Sequence, residues 1–189
     1  MIFMTDETEQ KIMDTALNIF AKNGYKSSTT KAIAEKSGFT EMTLFRKFKT
    51  KKNLYEKVLN QNVERMMADY KKSVFTDAKF PDVKEFLEYF INTSVKISME
   101  NFEIFYLTVN EENSSIEPLI VDMINSKGKY LENKINNPKI DFETLGITIN
   151  SFVYVINLEI YKGRTSSFGK PINEVIEDFV DLIHRMVMT

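Results

Sequence analysis

The chain has 189 residues, 43% of them hydrophobic, with 25 basic and 27 acidic side chains and no cysteine. That length and apolar share support a packed core, of one medium domain or of a small one fused to a larger one, and exclude disorder of the whole chain. The lack of cysteine excludes a disulfide framework, a thiolate metal site and a cysteine nucleophile, as suits a reducing compartment. The net charge of -2 is unevenly divided: residues 1–62 hold 11 basic and 7 acidic side chains, residues 63–189 hold 14 and 20. From Lys36 to Lys57 the ratio is 7 to 2, a cluster suited to phosphates and to salt-sensitive association. The opening MIFMTDETEQ lacks a basic segment followed by an apolar one, and the longest apolar run, Phe152 to Ile156, falls far short of the ~20 residues of a membrane helix. A cytoplasmic protein is expected.

Helix signals recur along the chain, and paired alternating runs joined by Asn-Gly or Asp-Gly turns are missing, so the expected fold is all-α. The first helix is expected from about Asp6 to Asn23, with Ile12, Ala16, Ile19 and Phe20 on one face, acidic residues at its start and Gly24 as its stop. Thr29 and Thr40 stand where they cap short helices over Thr30 to Ser37 and Glu41 to Phe48. Thr50 caps a fourth helix, whose run from Leu54 to Tyr70 carries it out of a first domain placed at residues 1–62. A second domain, 63–189, follows, with Val74 to Pro81 as the break and Pro81 as a first helical residue. Helices are then expected at about 82–99, 101–111, 118–135, 141–162 and 171–187. Ile147 to Ile160 is rich in β-branched residues, yet its length and the Gly163 stop favour a helix over a strand.

The stretch Thr29 to Leu54, TTKAIAEKSGFTEMTLFRKFKTKKNL, has the spacing of a helix-turn-helix. Ala34 is small where a second helix crosses, Gly38 stands at a tight turn where a Cβ is expected to clash, and Leu44 faces back from the second helix. Ile33, Phe39, Leu44 and Phe48 give the pair a shared apolar face, and Glu41, Met42, Thr43, Arg46 and Lys47 are left for a partner. These residues, with the preceding EQKIMDTALNIFAKNGYKSSTT, resemble the tetracycline-repressor (TetR) family of bacterial transcription regulators over roughly the first third of the chain. The resemblance implies an N-terminal three-helix DNA-binding domain and a C-terminal helical bundle for ligand binding and dimerisation. It also implies phosphate contacts from Thr30, Thr40 and Lys51, and base-edge contacts from Glu41, Thr43, Arg46 and Lys47. Glu41 either accepts from cytosine or only favours the helix N-terminus. Where the family usually has a tyrosine whose hydroxyl touches a phosphate, this chain has Phe45, which keeps the ring and loses the donor.

In the C-terminal half, Ile172, Val175, Ile176, Phe179, Ile183 and Val187 form one stripe, and the preceding helix is apolar nearly all round. In the resembled family these two helices pair with their copies, which implies a homodimer. Residues 63–189 hold ten Phe and six Tyr. From these, Phe90, Phe105, Tyr106 and Tyr154 are the candidates for an apolar effector site, although aromatic residues at helical spacing are ordinarily core. His184 is the only histidine, so a metal site or a histidine-based catalytic group lacks partners, and no cofactor is expected. Glu111 and Glu112 are expected at a solvated helix end. The reading is of a regulator that binds an inverted-repeat operator on double-stranded DNA and is released by a small apolar or amphipathic effector. Its alternative is an architectural or partner-controlled DNA-binding protein without a ligand. An enzyme is disfavoured, since no glycine-rich phosphate loop or nucleophile elbow appears.

Overall fold

A computed structural model of the chain describes residues 6–110 and 117–189. Among them are nine α-helices and no strand: α1 (Glu7–Ser27), α2 (Thr30–Ser37), α3 (Glu41–Phe48), α4 (Lys51–Ser73), α5 (Val83–Glu100), α6 (Phe102–Asn110), α7 (Glu117–Ile135), α8 (Phe142–Tyr161) and α9 (Ile172–Val187). The all-α expectation holds, and the β-branched run of residues 147–160 lies within α8. Glu111 and Glu112 lie outside the described residues.

The helices form two compact units. The first comprises the described residues up to Arg65 together with those of 103–117, a segment that the sequence reading assigns to the second domain. Its core is Ile12, Met13, Ala16, Ile19 and Phe20 of α1, Ile33 and Ala34 of α2, Leu44 and Phe48 of α3, and Leu54, Val58 and Leu59 of α4. Asp6 starts α1 by accepting the Glu9 N–H at 2.8 Å, and Gly24, at φ 75° and ψ 163°, breaks its helical backbone near the end.

The second unit, residues 66–102 and 118–189, packs α5 against α8 and α9. Its core includes Phe86, Leu87, Phe90, Ile91, Leu145, Ile149, Val153, Val180 and Ile183. Residues 74–81 belong to this unit, and several groups hold them: Val74 is buried, Phe75 lies 5.0 Å from the Tyr130 ring, and the Tyr130 hydroxyl donates to Thr76 O at 2.7 Å. Asp82 is the N-cap of α5, accepting the Glu85 N–H at 2.9 Å, so Pro81 precedes the cap and is not a helical residue as the sequence suggested. Gly128 of α7 lies where a Cβ would stand 3.1 Å from Phe142 O, so a larger residue there would need the start of α8 to give by a few tenths of an ångström.

Candidate nucleic-acid interface

Side-chain caps and one left-handed glycine shape the turn between α2 and α3. Thr29, in extended conformation, accepts the Ala32 N–H at 3.1 Å and starts α2. Gly38 ends it at φ 80°: its N–H donates to Glu35 O at 3.2 Å and the Phe39 N–H to Ala34 O at 2.9 Å, which satisfies carbonyls the helix leaves open. A Cβ on Gly38 would meet only Lys11 Nζ, at 3.9 Å. The glycine is therefore required by its φ, not by the clash expected from the sequence. Thr40 caps α3 by accepting the Thr43 N–H at 3.2 Å, and Thr50 caps α4 by accepting the Asn53 N–H at 3.0 Å.

The eight residues of α3 form a helix about 10 to 12 Å across with its side chains, a cross-section that the DNA major groove, about 12 Å wide, admits. Leu44 and Phe48 are buried on one side, and Glu41, Met42, Phe45 and Arg46 are exposed on the other. The residues expected to touch DNA differ in how free they are. Arg46 is exposed and meets no partner among the described residues. The Thr30 hydroxyl donates to Glu41 Oε1 at 2.8 Å, which ties the start of α2 to the start of α3. Thr40 and Thr43 share a hydrogen bond of 3.0 Å between their hydroxyls.

Lys47 is only 16% exposed and pairs with Asp6, whose carboxyl it holds below the usual range with help from the Glu9 N–H. Lys57 pairs likewise with Glu9. Lys51 turns inward: its amino group donates to Tyr25 O at 2.8 Å and Ser28 O at 3.0 Å and lies 4.2 Å from the centre of the Tyr25 ring. It thereby secures the chain where α1 gives way to α2. Nothing in the helical period signals these pairs, since their partners lie 23 to 48 residues away.

The four expected ligand residues fall in different units. Phe105 and Tyr106 belong to the first, in α6, while Phe90 and Tyr154 belong to the second. Phe90 is fully buried, 5.8 Å from the Phe86 ring and stacked 5.9 Å from Tyr130, and the Tyr154 ring lies 6.5 Å from that of Phe102. One polar group of the second unit is missed by the sequence reading. Lys127 is 2% exposed; its amino group donates to Asn150 Oδ1 at 2.5 Å and sits 4.5 Å over the Tyr70 ring. Its signal is positional: it stands four residues from both Met123 and Leu131, which are buried on the same face of α7. In the first unit, burial raises the Glu103 carboxyl above its ordinary range, against a smaller opposing effect of Lys36. No group of three metal-binding side chains occurs among the described residues, and no helix there is long and apolar enough to cross a membrane.

Two short helices packed together with Ala34 buried, joined by the Gly38 turn and presenting a solvent-facing arginine within a basic cluster, define a helix-turn-helix DNA-binding protein. The sequence profile of the "Bacterial regulatory proteins, tetR family" matches residues 12–58, the span from α1 into α4. The HTH-type transcriptional regulator YvkB of Bacillus subtilis is 46% identical over 55 residues, a span of 29% of this chain and of YvkB. The negative regulator IcaR of the icaADBC biofilm operon in Staphylococcus aureus is 29% identical over 153 residues, 72% of this chain and 77% of IcaR. Among solved structures, a TetR-like regulator from Rhodococcus sp. RHA1 has the same fold, with a TM-score of 0.74 over 96% of both chains at 14% identity. Residues 12–58 therefore form a DNA-binding domain of the TetR type, and the chain as a whole has the fold of TetR-like transcriptional regulators.

Proposed function

We propose that the chain is a cytoplasmic, homodimeric repressor that leaves an inverted-repeat operator when a small apolar or amphipathic molecule binds it. The free face of α3, with Arg46 ready to reach a base edge, carries this reading. Thr43, Glu41 and Lys47 join Arg46 at the bases, and Thr30, Thr40 and Lys51 contact phosphates. Lys47 exchanges Asp6 for DNA on binding, while Lys51 acts as much by holding Tyr25 and Ser28 in place as by its charge. IcaR, a negative regulator, supports the repressive sign. Phe90 and Tyr154 in one unit, and Phe105 and Tyr106 in the other, are the candidate effector contacts. The effector acts by preferring the form of the dimer whose two α3 helices do not match half-sites about 34 to 36 Å apart.

The dimer reading rests on apolar side chains left in solvent on the last two helices: Ile147 and Val155 of α8 and Leu182 and Met186 of α9 are each 42% to 53% exposed. Within each helix they are four or eight residues apart, so they line one face, and a two-fold axis can make such a face cover its own copy. Sedimentation tests this. The wild type is expected as a dimer at micromolar concentration, and Leu182→Asp combined with Met186→Asp is expected to give folded monomers with weakened operator binding. Ile156 is 1% exposed, so a charge placed there tests folding instead. A folded wild type that sediments as a monomer contradicts the proposal. A dimer whose operator binding no small molecule relieves favours the partner-controlled alternative.

A further inference from the structure

We propose that Met42 and Phe45 read thymine methyl groups in the major groove, so that each operator half-site carries two thymines at fixed positions under α3. The inference rests on the reading of α3 as the DNA-reading helix and extends it to residues that carry no hydrogen-bonding group. Met42 is 81% exposed and Phe45 is 65% exposed, the two largest exposures among the large apolar side chains of the described residues. They are three residues apart on α3 and share a face, with Cβ atoms about 5 to 6 Å apart. Beside them is a recess of about 400 Å³ lined by Met42, Leu44 and Phe45 together with Thr30, Glu41, Lys49 and Thr50, in which the Glu41 carboxylate is engaged by the Thr30 hydroxyl.

A sulfur-containing chain and a phenyl ring in water at the outer face of a small domain call for an apolar partner. The neighbouring charge selects that partner. Arg46 and Lys49 flank the pair, and Lys36 to Lys57 holds 7 basic against 2 acidic side chains, so a polyanion is favoured over an apolar protein surface. On duplex DNA the apolar group offered to the major groove is the C5-methyl of thymine.

The spacing agrees with this assignment. Cβ atoms about 5 to 6 Å apart span between one and two base steps of about 3.4 Å, so the two thymines lie on adjacent or next-but-one base pairs. Phe45 has no donor for a phosphate, and its exposed ring serves as a contact surface instead. Met42, with its flexible unbranched chain, adapts to a methyl on either strand, while the rigid Phe45 ring fixes the register.

The test uses the full chain and a pool of randomised 40-base-pair duplexes, enriched by repeated binding until a preferred sequence emerges. Each thymine of that sequence is then replaced singly by uracil, which deletes the methyl and keeps every base-edge hydrogen bond. Two positions per half-site are expected to lose about fourfold in affinity each on methyl removal. Met42→Ala is expected to abolish the thymine–uracil difference at one of them and Phe45→Ala at the other, with binding to random duplex unchanged. A preferred sequence that binds equally well with uracil throughout overturns methyl reading and leaves the DNA-reading role of α3 standing. Variants that weaken random and preferred duplexes by the same factor overturn it as well, as does a change in self-association in place of DNA binding. A pool that yields no preferred sequence overturns both this inference and the reading beneath it.

Discussion

In the first unit the polar side chains work mostly at helix ends and at the surface, with Asn62 buried along α4 and donating to Val58 O, whereas the second unit buries an ammonium group and hydroxyls among its aromatic rings. Thr29, Thr40 and Thr50 cap helices, Asp6 and Glu9 hold Lys47 and Lys57, and Lys51 seals the end of α1. In the second unit the Tyr70 hydroxyl lies 2.8 Å from Ser98 Oγ and 3.3 Å from Ser94 O, all buried, and Lys127 sits on the ring of the same tyrosine. A domain that presents a fixed face to DNA needs its short helices started and stopped at defined residues. A bundle that carries buried polar groups among its aromatic rings depends on each of them keeping its partner. The two regions therefore differ in what a mutation should cost.

The largest expected effect compares two fully buried rings. Phe20→Ala in the first unit should lower stability by about 3 to 5 kcal/mol, because the ring fills a packed core and the site relaxes only in part. Phe90→Ala should cost the same if that ring is core, as its contacts with Phe86 and Tyr130 argue. Denaturant titration of both variants sharpens the comparison. A loss below about 1 kcal/mol for Phe90→Ala alone would mark its ring as the lining of an effector cavity, in accord with its place among the candidate ligand residues.

An intermediate effect is expected at Lys51. Lys51→Met keeps the stem of the side chain and deletes its hydrogen bonds to Tyr25 O and Ser28 O, so a loss of about 1 to 3 kcal/mol should appear in thermal unfolding without any DNA present. Unchanged stability with weakened DNA binding would assign Lys51 to phosphate contact alone.

The smallest effect concerns pH. Burial raises the Glu103 carboxyl, so its folded pKa lies above its unfolded value. The protonated acid favours the fold fully below the unfolded pKa, and that contribution is lost as pH rises through the folded pKa. Glu103→Gln should therefore be slightly more stable than wild type at pH 7, by less than about 1 kcal/mol because solvent screens this partly exposed group. The gain should vanish below about pH 4, and a loss at pH 7 would show that Glu103 is held by a favourable charge contact.

The first unit was legible because its rules are local. A left-handed turn calls for glycine at Gly38, a helix start calls for threonine at Thr29 and Thr40, and the backs of the helices call for Ala34 and Leu44. Its long-range pairs were not legible. The acidic start of α1 read only as favouring a helix N-terminus, yet Asp6 reaches Lys47 across 41 residues of sequence. The clash expected at Gly38 was also the wrong cause, because room for a Cβ depends on neighbours the sequence does not place. In the second unit the helices were legible from their period, α8 included, but the uses of their side chains were not. Phe90 at helical spacing reads the same whether it fills a core or lines a cavity, and Lys127 reads as surface until α7 is seen to bury it. The division of the four aromatic candidates between two units is likewise invisible to periodicity, which ranks faces within a helix and not the company a helix keeps.

The central claim is that α3 reads bases through Arg46. It is tested most directly by titrating wild type and Arg46→Ala against the preferred duplex and against random duplex across a range of salt concentrations. The account predicts that Arg46→Ala loses about 5- to 150-fold on the preferred duplex, the worth of a base contact of about 1 to 3 kcal/mol, and changes random-duplex affinity and its salt dependence much less. An equal loss on both duplexes would make Arg46 a phosphate anchor and contradict the claim.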